Sequence, residues 1–147
     1  VHDLRRNLVD YIARGGTSAR MVTRVLSFGF KYGLPVDADL VFDLRFLPNP
    51  HFVPELKPLT GLDEPVAKFV FDQPEARELL ADVGELLRKL LPRYAREGKA
   101  YLTICVGCTG GQHRSVAMAE ALAAALRGMG DIVVEHRDIQ RRGSLRT

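Results

Sequence analysis

Seven residues, Cys108-Thr-Gly-Gly-Gln-His-Arg114, gather more nucleophilic and anion-binding groups than any other run of the chain. Upstream, Tyr101 to Val106 is β-branched and aromatic, the composition of a buried strand. Gly107, Gly110 and Gly111 break it, and Val116, Ala119, Leu122, Ala123 and Leu126 recur at helical spacing behind Ser115, a good N-cap residue. A glycine-rich loop feeding a helix N-terminus turns backbone N–H groups outward at the positive end of the helix dipole. Arg114 adds a planar, permanently charged fork suited to phosphate, and His113 a donor whose charge responds near neutral pH. A plain turn needs one glycine. Three of them, with His-Arg-Ser at the helix mouth, predict a phosphate cradle.

Three chemistries compete at this loop. Cys108 and Arg114 have the C-x5-R spacing of cysteine-dependent phosphatases, in which a thiolate attacks phosphorus while Arg clamps two oxygens. Those enzymes usually carry His before the cysteine, where this chain has Gly107, and their acid would have to be Asp39 or Asp43. Cys105-Val-Gly-Cys108 is a C-x-x-C, but Cys105 falls inside the strand, and no second pair completes a zinc site. Cys105 reads better as a small core hydrophobe. The third reading is binding of a phosphorylated ligand without chemistry. No G-x-x-x-x-G-K-[ST] run occurs, so P-loop nucleotide hydrolysis is not expected of these residues. Neither a cofactor nor a metal ion is expected.

Two further groups carry charge. Asp43 and Arg45 interrupt an apolar strand, either as an ion pair at a sheet edge or as side chains presented to a ligand at the strand's C-terminal end. Pro48, Pro50 and Pro54 stiffen the following loop, which holds Asn49 and His51. At the far end, residues 136–147 hold four arginines against one aspartate, the whole of the chain's net surplus of +3. Arg137, Arg141, Arg142 and Arg146 are either a solvated end or a minimal footprint for a nucleic-acid backbone, with no aromatic interleaving for base stacking.

The elements that position these groups alternate between strand and helix. Residues 1–14 show helical spacing and stop at Gly15-Gly16, so residues 1–20 read as a lead-in helix and linker, or as the end of another domain. Residues 21–147 form the domain proper. Met21 to about Gly29 reads as a strand, as does Leu40 to Leu47, with Leu40, Phe42, Leu44 and Phe46 on one face. Asp63 is a plausible N-cap for a short helix from Val66 to Phe71. Pro74 opens a long amphipathic helix to about Arg96, closed by Gly98. The cradle helix runs to about Gly128, and Ile132 to Glu135 is a last short strand. The pattern predicts an α/β domain with a small open sheet of about four strands and flanking helices. Apolar content of 46% and charged content of 27% are ordinary for a globular protein. No apolar run approaches a membrane span, and no signal-like segment opens the chain. Two cysteines make no disulfide framework, so a cytoplasmic setting without membrane contact is expected.

Four ordered motifs complete the reading: Leu26-Ser-Phe-Gly-Phe-Lys-Tyr-Gly-Leu-Pro35, Ala38 to His51, Leu59-Thr-Gly-Leu-Asp63 and Gly107 to Val116. Together they closely resemble the C-terminal domain of the bacterial RapZ and YvcJ-like family, over about residues 21–142. The resemblance implies a phosphofructokinase-like, oligomeric domain that senses glucosamine 6-phosphate and binds small regulatory RNA in the control of RNase E. In full-length relatives it implies a P-loop nucleotide-binding domain alongside. It implies a sugar-phosphate pocket of Asp43, Arg45, Asn49, His51, Thr109, Gly110, Gly111, His113 and Arg114, and RNA contacts through Arg137, Arg141 and Arg142. Gly143-Ser144-Leu145 dilutes the basic end relative to that family.

Overall fold

The computed structural model describes residues 21–141. Its centre is a four-stranded, wholly parallel sheet in the order β2-β3-β1-β4. The strands are β1 (Val22–Gly29), β2 (Leu40–Asp43), β3 (Tyr101–Cys108) and β4 (Asp131–His136). Among the described residues three helices accompany it: α1 (Glu64–Phe71), α2 (Pro74–Glu97) and α3 (Arg114–Ala125). The α/β class and the four-stranded open sheet expected from the sequence are both present. The expected helix over residues 1–14, its linker, Arg142 and Arg146 lie outside the described residues.

Alternation along the strands separates two faces. Val25, Leu102, Ile104 and Val106 point to the face covered by α3, on which α1 and α2 pack in turn. Val66, Val70, Val83, Leu87, Leu91, Met118 and Leu122 close this main core. Leu26, Phe28 and Cys105 point the other way and form a small second cluster with Phe30 and Ala38. Gly107 belongs to that face. A Cβ there would lie 2.4 Å from the Phe28 ring and 2.7 Å from the Phe30 ring, so the two aromatics lie where a side chain at 107 would stand. That close approach explains why no histidine precedes Cys108.

Two local expectations need correction. The second strand ends at Asp43, not Leu47. Leu44 continues the ladder by one bond, N to Gly107 O at 2.8 Å, and the chain then turns so that Leu44 and Leu47 are buried while Phe46 is exposed. Strand alternation cannot place Leu44 and Leu47 together in a core, but a turn can. Ser115 is not the N-cap of α3: His113 holds that position, and Ser115 sits buried in the first turn. The long helix extends to Glu97 as expected, with Pro92 inside it, where a break is the ordinary outcome. Gly98 ends it as expected, in the left-handed region at φ 98°.

Candidate functional site

The C-terminal ends of β1 and β3 open into one cavity of about 750 Å³. One wall is the loop from Cys108 to Arg114, and the other runs through Asn49, His51, Phe52, Pro54, Lys57 and Pro58. Lys31 and Tyr32, on a 3-10 turn directly after β1, complete the lining. This is where ligands bind in open α/β sheets, outside the carboxyl ends of the strands.

The loop gets its shape from contacts too close for side chains. Gly111 takes φ 81°, and a Cβ there would stand 2.7 Å from Gly29 N and 2.9 Å from the Asp138 Cβ. Gly29 in turn lies against the Gly110 backbone. Among the described residues, no carbonyl accepts from the N–H groups of Thr109, Gly110, Gly111 or Gln112. Lys31 N donates to Thr109 O at 3.2 Å and Gly61 N to Gln112 O at 2.8 Å, so the loop's carbonyls are used by the protein. The result is a concave run of unclaimed donors.

Arg114 is 3% exposed. Its Nη1 donates to Leu47 O at 2.8 Å and to Arg45 O at 3.2 Å, fastening the loop after β2 to the cradle. Its Nε is buried with no partner among the described residues, and no carboxylate pairs with it there. His113 is buried too, with Nε2 at 3.2 Å from Lys57 O. A carbonyl only accepts, so Nε2 carries the proton. Asn49 Oδ1 accepts from His51 N at 3.0 Å and caps the 3-10 turn Pro50–Phe52, which fixes the backbone that carries His51.

Of the residues expected to meet a ligand, Asn49, His51, Thr109, Gly110, Gly111, His113 and Arg114 share the cavity. Asp43 and Arg45 are outside its lining and bind each other: Arg45 Nη2 reaches Asp43 Oδ2 at 2.7 Å and its Nε reaches Oδ1 at 2.9 Å. These hydrogen bonds hold the Asp43 carboxyl below the usual carboxylate range. Arg45 also stacks on Phe30 at 3.8 Å. Ser115 is buried behind the loop, where its Oγ accepts from Cys108 Sγ at 3.2 Å. Asp39 is held by Lys99 and by Thr103 N, away from the cradle. Thus neither candidate acid lines the cavity that contains Cys108 and Arg114. Lys31, Tyr32, Phe52 and Lys57 were not foreseen. Nothing local marks the first two, and only folding brings the rest opposite the glycine loop.

The basic end is built into the fold. Asp138 has no exposed surface, and its carboxylate accepts from Gly29 N at 2.7 Å, from Arg137 Nη2 at 2.9 Å and from Arg141 Nε at 3.0 Å. Arg137 also donates to Gly33 O, and Arg141 lies over the Tyr32 ring at 4.7 Å. Two of the four arginines read as a tail therefore buttress the underside of the cavity.

A family model described as the RapZ C-terminal domain matches residues 21–140. A nucleotide-binding protein of Streptomyces avermitilis is 58% identical over 142 residues, 96% of this chain and 47% of that protein. One from Thermobifida fusca is 55% identical over 142 residues, and one from Trichlorobacter lovleyi 49% identical over 142 residues, covering 50% of the latter. The chain spans about half the length of the curated relatives it matches.

Proposed function

The chain belongs to the family of RapZ C-terminal domains, and from that premise we propose that its 107–115 loop binds the phosphate of a phosphorylated amino sugar such as glucosamine 6-phosphate. The observation that supports this most is Arg114, a buried guanidinium with an unpartnered Nε beside a run of unclaimed amides. A buried donor left without a partner is costly, and an anion in the cavity would complete it. The role is binding rather than catalysis. Cys108 is buried, its thiol engaged with Ser115, and no carboxylate among the described residues lines the cavity. The nucleotide binding for which the relatives are named falls, on this reading, to the half of them that this chain does not span. Amide resonances followed during titration with glucosamine 6-phosphate test the proposal. Gly110 and Gly111 shift first, and Arg114→Lys weakens the effect. Shifts confined to another surface overturn it.

The same domain binds RNA through its basic end. Arg137 and Arg141 contribute only what Asp138 leaves available, so the weight falls on Arg142 and Arg146. Each lost contact to a single-stranded phosphate lowers the slope of log K against log salt by about 0.7. Removing residues 142–147, which leaves Asp138 in place, therefore flattens that slope by about 1.4. An unchanged slope removes this segment from RNA recognition.

A further inference from the structure

Phe52 is 79% exposed, although the chain has an apolar core a few residues away at Pro50 and Leu56. Its backbone is fixed: Phe52 N donates to Asn49 O at 3.1 Å and Val53 N to Pro50 O at 2.9 Å. Its ring meets the His51 ring edge-on, with centroids 5.7 Å apart and planes at 82°. Phe52 lines the cavity together with Pro54 and Pro58, an apolar patch on the wall that also carries Asn49, His51 and Lys57. The opposite wall is the cradle with Arg114, which is polar and cationic. One cavity thus has an anion end and an aromatic side, the division found where a few polar groups orient a ligand and flat apolar surfaces hold its body.

Resting on the phosphate reading above, we propose that Phe52 is the platform for the ligand's ring, selecting a ring-bearing phosphate over a bare one. Inorganic phosphate uses only the cradle. A hexose phosphate places the C–H-bearing face of its ring on Phe52 while its phosphate reaches Arg114. Three pre-set features, the capped turn, its prolines and the His51 contact, spare the ring the ordering that a free side chain would undergo on binding.

Calorimetric titration of the 147-residue chain with inorganic phosphate and with glucosamine 6-phosphate separates the two ends. Phe52→Ala is expected to weaken the sugar phosphate about five- to tenfold and inorganic phosphate less than about twofold. Phe52→Trp is expected to restore the difference. Equal weakening of both anions, or no change in either, overturns the platform while leaving the cradle intact. If the wild-type chain takes up neither anion, the cradle reading falls, and the platform falls with it.

Discussion

Asp138 ties together three parts of the structure near the cavity, accepting from Gly29 N, Arg137 and Arg141 at once. Removing one member of a buried charged group strands the others, so Asp138→Asn is expected to lower unfolding free energy by about 2–4 kcal/mol in urea. The sequence shows the arginines plainly but hides this role, because the acid they serve sits among them and looks like one more solvated charge. Asp43 makes the opposite point, since one of the two readings open to it, an ion pair with Arg45, is the geometry observed. Its depressed pKa means that the pair contributes above the ordinary carboxylate range and is lost as pH falls through the folded value. Arg45→Met is expected to raise the Asp43 midpoint in a carbon-detected NMR titration. Both side chains are half exposed, so the change in stability is small. Burial pushes the Cys105 thiol up to about 11, and it is expected to resist alkylation near pH 8 until the chain unfolds.

At the scale of elements, the glycine loop was legible because donors, positive φ and a helix start are local properties. The opposite wall was not. Pro50–Phe52 announces a stiff turn, but nothing local says that it faces residues some sixty positions away. Gly111→Ala tests the loop itself. With φ 81° and backbone within 2.7 Å of the added carbon, it is expected to cost about 1–3 kcal/mol and to abolish phosphate binding. The helix α2 offers a gain instead. Pro92 is exposed in its interior, where proline is about 3 kcal/mol worse than alanine, partly offset by the stiffness it gives the unfolded chain. Pro92→Ala is expected to raise stability by about 2 kcal/mol, seen as a higher urea midpoint at unchanged slope. Why the helix keeps a proline there has no explanation in its contacts.

For the whole molecule, the strand order was beyond the sequence, since all-parallel pairing places β1 between β3 and β4 although both follow it. Alternating strands and helices indicated the class but not which neighbours meet. Binding to this frame stabilises it by mass action, by about 2.7 kcal/mol at a hundredfold excess of ligand over Kd, so glucosamine 6-phosphate is expected to raise the melting temperature measurably. The bond from Gly29 to Asp138 spans 109 residues of chain. On the ribosome, the glycine loop and its arginine emerge well before the carboxylate that props them from beneath. A nascent chain stalled ahead of Asp138 would display every residue that lines the cavity and still lack a firm floor under them. On the proposed reading of the site, a phosphorylated ligand is expected to be held only once synthesis has passed this anchoring point.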